Sequence, residues 1–283
     1  MSVVFRPARA DELQRTQELV VRSINDLTER HGFGPMATLR HPDFQLFSLK
    51  DDPDGLWVAE ADEEIIGFAL SWVCDDLWFL AELFVAPGHQ GGGVGNELLA
   101  RTLEHAKKAG ATNKSLITFT FNVASQGLYI RHGLFPRLPI YLFGIARDAL
   151  MPRLQGDKLR YTPIEPTASH LETLAQLDVA TIGISRRKHH RYLLDDRMMK
   201  GVLLYDRGGL HRLCLRFRDR SRGPLGGRSS ALDRRRVEDS ARPGSNERSR
   251  ASFGIPSRCE RSRRHRCRAW HADYISNGAG VDA

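Results

Sequence analysis

The sequence predicts an α/β (α+β) fold, a sheet flanked by helices, and three observations support this prediction. Short runs of branched and aromatic residues alternate with helical patterns over the first 150 residues. A glycine cluster at residues 88–95 separates one such run from a long helical pattern. The 283-residue chain has 41% hydrophobic and 27% charged residues, which is typical of a globular protein.

The first predicted elements follow from local patterns. Residues 3–6 form a branched run typical of a strand. Asp11 is the expected N-cap of a helix whose apolar positions recur over residues 13–27. Pro87 is expected to end a strand because it cannot donate to a ladder. The strands predicted in this part are residues 57–60, 65–70 and 77–85.

The pattern then continues with a helix over residues 96–109, which is expected to end at Gly110 because glycine tolerates positive φ. A strand at 115–121, a helix at 125–132 and a strand at 140–145 complete a first domain of residues 1–150. A second unit, residues 160–209, shows a helix at 168–180 and a strand at 202–205. Beyond Gly209 the periodicity disappears.

Charge is distributed unevenly along the chain. Residues 207–283 contain 19 Arg, no Lys and 8 acidic residues, whereas the rest contains 23 basic and 26 acidic residues. An arginine-rich tail favours a nucleic-acid interpretation, but a basic tail under selection usually mixes Lys with Arg. We therefore consider nucleic-acid binding unlikely.

Arg, Ser, Gly, Pro and Cys are enriched when GC-rich coding DNA is translated out of frame. Our hypothesis is that a one-base shift near Gly209 replaced the remainder of the second unit. The nucleotide sequence of the gene tests it. Because residues 210–283 have little apolar surface to offset the entropy of ordering, we expect most of them to be disordered. A face of the first domain that the second unit normally covers would then be exposed.

Several classes of protein are not indicated. The N-terminal residues show no signal peptide, and no apolar run is long enough for a membrane span, so we expect a cytoplasmic protein. The four cysteines have no CxxC spacing, which argues against a disulfide framework or a zinc site. We therefore expect no metal.

The most informative stretch is residues 85–95, which lie between a predicted strand and a predicted helix. Glycines allow the backbone to present consecutive amides to an anion, and the helix dipole adds to the attraction. A pyrophosphate is the natural ligand, and a glycine-rich turn without a ligand is the alternative. The segment lacks the Gly-Lys-Ser/Thr of a Walker loop and the acidic partner of a dinucleotide-binding fingerprint.

The segment closely resembles the acetyl-CoA loop of the GCN5-related N-acetyltransferases (GNAT), [Gln/Arg]-x-x-Gly-x-[Gly/Ala], here Gln90, Gly93 and Gly95. Residues 80–87 resemble the family's fourth strand, and residues 122–134 resemble its Asn-to-Tyr helix motif. The resemblance covers residues 1–147. It implies a mixed central sheet and direct transfer of an acetyl group from acetyl-CoA to an amine, without a covalent enzyme intermediate.

The resemblance also implies the residues that bind the cosubstrate. Backbone near Phe84 and Val85, splayed by a strand bulge, would pair with the pantetheine and polarise the thioester carbonyl. Asn122 would contact the pantetheine arm. The CoA pyrophosphate would be held by the amides of Gln90, Gly91, Gly92, Gly93, Val94 and Gly95.

Two residues are candidates for proton transfer. Tyr129 would donate a proton to the leaving CoA thiolate, although it could instead be an aromatic residue that packs under the cosubstrate. Glu82 would accept the proton of the amine, and the alternative is a structural or solvated glutamate. We assign no role to His89 or His132. Leu134 stands where the family usually has Phe, a departure that affects packing more than chemistry.

Residues 160–209 resemble the start of a second, more divergent copy of the fold, as in tandem acetyltransferases. Such a copy should continue into a hydrophobic hairpin, which residues 210–216 do not suggest. The acceptor is unknown, and its pocket is expected from residues 27–47 and the second unit. A non-catalytic acyl-CoA-binding module is the main functional alternative.

Overall fold

The computed structural model describes residues 2–141, 146–153, 160–195, 199–206 and 209–217. The strands in these residues are β1 Val4–Pro7, β2 Leu56–Ala61, β3 Glu64–Cys74, β4 Leu77–Val85, β5 Asn113–Leu116, β6 Arg160–Ile164, β7 Met199–Asp206 and β8 Gly209–Phe217. The α-helices are α1 Leu13–Arg30, α2 Asp43–Asp51, α3 Val94–Lys108, α4 Val123–Arg131, α5 Arg147–Leu150, α6 Ala168–Ile182 and α7 Arg187–Asp195.

The first sheet has the strand order β1-β2-β3-β4-β5. Neighbouring strands are antiparallel except β4 and β5, which are parallel. A parallel pair needs a crossover connection, and α3 supplies it. The result is a mixed five-stranded sheet with helices in its connections.

Both faces of this sheet are covered. On one face α1 buries Leu13, Val20 and Ile24 against residues of β2, β3 and β4. On the other face α3 packs closely over β3, where a Cβ at Gly67 would lie 2.8 Å from Leu98 Cδ1. Glycine at 67 therefore permits this close approach of helix and sheet.

A β-bulge interrupts β4 in its middle. Glu82 pairs with Leu70, whereas Leu80 pairs with Ser71, so that Ala81 is the extra residue. A bulge reverses the side-chain alternation of a strand beyond it. Phe79 therefore faces the α1 side, and Phe84, beyond the bulge, faces that side as well. Glu82 shares the orientation of Phe84.

A buried polar network joins α2, α3 and β3. Asp52, at the end of α2, accepts a hydrogen bond from the Val73 amide (2.9 Å) and lies 2.8 Å from His105 Nε2. His105 Nδ1 is 3.0 Å from Ser71 Oγ. Burial opposes ionisation of Asp52, but these hydrogen bonds outweigh it and lower its pKa. The network fixes the end of α2 relative to the sheet.

The second unit contains the antiparallel sheet β6-β7-β8, with α6 and α7 between β6 and β7. This order of elements matches that of β1, α1, α2, β2 and β3 in the first domain. The pairing is also the same, because each strand is antiparallel to the next. The described part of the second unit therefore has the same order and pairing of elements as the first half of the first domain.

Helix α7 docks on the first domain. Tyr192 stacks on Phe47 of α2, with ring centroids 4.4 Å apart, and His189 meets Trp72 of β3 edge-on at 4.6 Å. Burial of His189 lowers its pKa to about 3, so the ring is neutral and packs as an apolar group. The second unit thus covers one side of α2.

Two predicted boundaries in the first domain are wrong. Asp11 is not the N-cap of α1, because it lies within a short 3-10 helix and Glu12 precedes the first helical residue. Glu12 is buried and paired with Arg6, which explains why the turn is tightened there. The strand predicted at 115–121 ends at Leu116, so residues 117–121 are not in a strand.

Other differences concern the second half of the chain and α2. The periodicity does not end at Gly209, because β8 pairs with β7 and forms the hairpin that residues 210–216 did not suggest. Helices α2 and α7 were not predicted. Of the strand predicted at 140–145, residues 140–141 are not in a strand and 142–145 lie outside the described residues. The predictions for residues 218–283 also fall outside them.

We predict that Asp178→Asn destabilises the protein and flattens its response to acid. Burial disfavours the Asp178 carboxylate, but hydrogen bonds with His190 (2.7 Å) and Arg186 (2.8 Å) outweigh it and lower the pKa to about 2. A lowered pKa adds stability at pH above the unfolded value of about 4, and this stability is lost as pH falls towards the folded value.

Chemical unfolding at neutral pH should show a loss of about 2 kcal/mol or more in the free energy of unfolding. Asp195→Asn, at an exposed position of α7, is the control and should change little. Equal stability of the Asp178 variant and the wild type at pH 7 would contradict this prediction.

Candidate active site

The edge of β4 opens beyond the bulge. The pairing of β4 with β5 ends at Leu80 and Leu116, immediately before Ala81. Within the described residues, β4 from 81 to 85 is paired only on its β3 side. Bulges often end pairing in this way, and the backbone of the free edge is then available to a ligand. Phe84 and Val85, predicted to contact the pantetheine, lie on this segment.

The glycine-rich loop forms the N-terminal end of α3. Gly91 and Gly93 adopt left-handed backbone conformations, with φ of 83° and 87°. Gly93 is the N-cap of α3 and supplies no side chain to cap the first turn. Residues 90–93 are exposed, so the free amides of the first turn point to an accessible loop. The loop therefore offers the positive end of a fifteen-residue helix to an anion.

The remaining cosubstrate candidates border this loop. Gln90 Nε2 donates to the Val85 carbonyl (3.1 Å), which ties the loop to the open edge. Val94 begins α3 and is buried against the sheet. A Cβ at Gly95 would be in ordinary contact with Val85 and Leu128, at 3.6 and 3.7 Å. Gly92 is exposed, and a Cβ there would meet little. A small side chain at position 95 would therefore fit between β4 and α4 without a clash.

Asn122 and Tyr129 belong to α4. Asn122 is the N-cap, and its Oδ1 accepts a hydrogen bond from the Ser125 amide at 3.2 Å. Tyr129 is buried beside Trp78 and Leu99 on the α3 face of the sheet. Burial raises the pKa of Tyr129 to about 12, although a hydrogen bond with the Ser125 side chain opposes the rise. The phenol is therefore protonated at neutral pH and able to donate.

Glu82 lies on the opposite face, where the bulge directs it towards α1 and α2. Gln45 Nε2 of α2 donates to Glu82 Oε2 at 2.8 Å. Burial raises the pKa of Glu82 to about 7, and the hydrogen bond from Gln45 opposes this rise. A carboxyl group with a pKa near neutrality exchanges protons readily at physiological pH, as a general base must.

The two candidate catalytic side chains thus approach β4 from opposite faces of the sheet. Glu82 is on the α1 and α2 side, and Tyr129 is on the α3 and α4 side. Burial raises both pKa values, to about 7 for Glu82 and to about 12 for Tyr129, so at neutral pH Glu82 can exchange its proton whereas Tyr129 keeps its own.

An aromatic cluster lies at the end of α1 and in the segment after β5. Phe121 stacks with Phe33 at 4.8 Å and with Phe119 at 4.9 Å between ring centroids. His31 contacts the same Phe121 ring at 4.8 Å. Phe33 is 59% exposed. The cluster therefore presents apolar surface to solvent within the 27–47 region expected to bind the acceptor.

Sequence reasoning missed Gln45. Helix α2 has weak periodicity, and nothing in its sequence marks Gln45 as buried. One available signal was Gln17, which occupies an apolar position of the α1 pattern and therefore indicated a buried polar contact. Gln17 indeed accepts a hydrogen bond from Gln45 at 2.9 Å.

Other groups stay outside this arrangement. His89 lies in a short 3-10 helix before the loop, and His132 Nε2 is 2.9 Å from Asn96 Oδ1. Among the residues that the structure describes, no group of three His, Cys, Asp or Glu side chains is placed to hold a metal ion. None of the helices in those residues is both long enough and apolar enough to cross a membrane.

Comparison with known proteins agrees with this geometry. A model of the acetyltransferase (GNAT) family matches residues 21–134. An uncharacterised N-acetyltransferase of Archaeoglobus fulgidus is 40% identical over 68 residues, 20% of this chain and 44% of that protein. A second, from Methanocaldococcus jannaschii, is 33% identical over 95 residues, 30% of this chain and 41% of that protein. This chain therefore spans less than half the length of either curated relative.

Among solved structures, a protein described as an acetyltransferase from Pyrococcus horikoshii is 16% identical, with a TM-score of 0.48. The match covers 75% of this chain and 70% of that one. The predicted resemblance to the GNAT family and the predicted mixed sheet flanked by helices are both confirmed.

We predict that Gly93→Ala weakens acetyl-CoA binding severalfold. Alanine at a φ of 87° costs about 1 kcal/mol. The unbound loop can relax to a conformation without this strain, so binding of acetyl-CoA must restore the strained conformation and becomes weaker by that amount. Gly88→Ala is the matched control, because Gly88 lies just before the loop, has no positive φ, and a Cβ added there would have no atom within 4 Å.

Calorimetric titration of each full-length variant with acetyl-CoA is the measurement. Similar dissociation constants for the Gly93 variant and the wild type would contradict a role of this loop geometry in binding.

Proposed function

We propose that the first domain of this chain, which matches a model of the acetyltransferase (GNAT) family over residues 21–134, transfers an acetyl group from acetyl-CoA to an amine. The observation that carries the proposal is the placement of Glu82 and Tyr129 on opposite faces of the sheet, with Glu82 on the segment of β4 that, among the described residues, is paired only with β3. A base and an acid on the two faces of the sheet would supply the two proton transfers that amide formation needs.

The binding assignment follows the positions of the glycine-rich loop and the open edge of β4. The amides of residues 90–95 would hold the CoA pyrophosphate at the N-terminus of α3. The backbone of Phe84 and Val85 would pair with the pantetheine arm along the free edge of β4, as a strand adds to a sheet. Asn122, at the start of α4, would contact the arm from the other side.

The chemistry then requires two proton transfers, the formation of one bond and the cleavage of another. Glu82 accepts a proton from the amine, directly or through one water, and the nitrogen lone pair forms a bond to the acetyl carbon. The bond from that carbon to sulfur breaks. The CoA thiolate takes a proton from Tyr129, and exchange with solvent restores both side chains.

We propose that the aromatic cluster binds the acceptor amine. Phe33 and Phe121 offer stacked ring surface, which suits the apolar part of an amine or the face of its cationic form. A panel of spermidine, 2-phenylethylamine and a short peptide with a free N-terminus samples amines with and without an apolar portion. CoA thiol release from acetyl-CoA measures transfer to each.

We predict that wild-type kcat/KM falls about tenfold for each pH unit below about 7, because Glu82 must be ionised to accept a proton. Glu82→Gln should lower kcat/KM by about 10²–10⁴ and remove this acidic limb. Glu104→Gln, at an exposed position of α3, is the control and should leave the profile unchanged. Full activity of the Glu82 variant would contradict the role of Glu82 as a base and would favour the alternative that it is a structural glutamate.

We predict that Tyr129→Phe lowers kcat by about a hundredfold and leaves acetyl-CoA affinity nearly unchanged, because only the leaving thiolate needs the phenolic proton. Tyr161→Phe, in exposed β6, is the matched control. Steady-state rates and calorimetry on the same preparations separate the two effects. Binding of acetyl-CoA with no transfer to any amine, and no change on Tyr129→Phe, would instead favour the non-catalytic acyl-CoA-binding module.

The second unit is proposed to be the start of a second copy of the same fold. Its support is the order strand, two helices and hairpin, which repeats the first half of the first domain. The proposed frame shift and the nucleic-acid alternative concern mainly residues 218–283, which lie outside the described part of the chain. A cytoplasmic location likewise stays a prediction.

A further inference from the structure

A hydrogen-bonded network lies behind Glu82. Gln45, 1% exposed, uses its Nε2 to donate both to Glu82 Oε2 (2.8 Å) and to Gln17 Oε1 (2.9 Å). Its Oε1 lies 2.8 Å from Thr16 Oγ1. Both amide protons and the amide oxygen of Gln45 are therefore engaged, which leaves its side chain one orientation.

A buried amide is costly unless it is fully hydrogen-bonded. The neighbours of Gln45 along the same helix, Phe44, Leu46 and Leu49, are apolar and pack against the core. An apolar side chain of equal size would fill this position without any requirement for partners. The consequence of having glutamine there is a defined contact with Glu82.

The contact involves only one of the two carboxylate oxygens. Glu82 Oε2 accepts from Gln45, whereas Oε1 has no hydrogen-bond partner among the described residues. We propose that Gln45 is a positioning residue, which holds the Glu82 carboxylate in one orientation so that Oε1 faces the reacting amine. The proposal rests on the proposed function, in which Glu82 is the base.

The groups that surround Glu82 are mainly uncharged. Gln45 comes from α2, with Thr16 and Gln17 of α1 behind it, and Leu70 of β3 lies opposite in the sheet. Two causes set the ionisation of Glu82, namely burial and the amide of Gln45. Because an N–H donor favours the charged form, its removal must make Glu82 harder to ionise.

The experiment is a pH titration of full-length protein labelled with ¹³C at the glutamate carboxyl groups, with Glu82→Gln used to assign the Glu82 resonance. In Gln45→Met the midpoint should rise by about one pH unit, a tenfold change in the ionisation constant. The acidic limb of kcat/KM, measured with whichever amine of the panel is acetylated, should move by the same amount.

Gln17→Met is the matched control. It removes a buried amide of the same size from the same network but leaves the bond between Gln45 and Glu82, so its midpoint should stay near that of the wild type. If Gln45→Met does not fold, Gln45→Glu keeps size and polarity. A second carboxyl group beside Glu82 should raise its midpoint by more than the one pH unit expected for methionine.

The possible failures can be told apart. A wild-type midpoint near 7 that does not move in a folded Gln45 variant, or that moves equally in Gln17→Met, overturns the positioning role alone. A wild type whose activity has no acidic limb, or a Glu82→Gln variant with full activity, overturns Glu82 as the base and the positioning role with it. A shift in the titration and in the rate profile together supports both.

Discussion

The site depends on one inserted residue, Ala81. The bulge adds a residue to β4 without a partner in β3. It lies immediately after the last pair of β4 with β5, and it turns Glu82 towards α1 and α2. Without it, regular alternation would place Glu82 on the same face as Trp78 and Leu80, against α3. One backbone irregularity thus opens a strand edge and separates the candidate acid and base onto two faces.

Sequence patterns predicted the parts of this site that are local. The glycine loop, the strand before it and the α4 motif follow one another closely in the chain, and their order carries the resemblance to the GNAT family. The partner of Glu82 was not predictable, because Gln45 lies 37 positions earlier on a helix with no clear apolar stripe. The bulge was not predictable either, because β4 is apolar on both faces. Its sequence has no regular alternation of polar and apolar residues that an extra residue would visibly interrupt.

The boundary errors have similar physical causes. Glu12 pairs with Arg6, a contact within a tertiary arrangement that overrides the local preference for Asp11 as a cap. Helix α7 was missed because its stabilisation comes from aromatic packing of His189 and Tyr192 on the first domain, where a neutral histidine acts as an apolar residue. Strand β8 carries Arg212 and Arg216 among apolar residues, and it pairs with β7 despite the arginine content that suggested disorder.

Helix α2 makes contacts on two of its sides. One side presents Gln45 to Glu82, and the other carries Phe47, which stacks on Tyr192 of the second unit. The loop that would hold the pyrophosphate has no such connection to α7 among the described residues. A fragment that ends before the second unit would therefore keep the glycine-rich loop and lose the packing of Tyr192 on α2, the helix that carries Gln45. For such a fragment, affinity for acetyl-CoA would report on the loop and not on the contacts of α2.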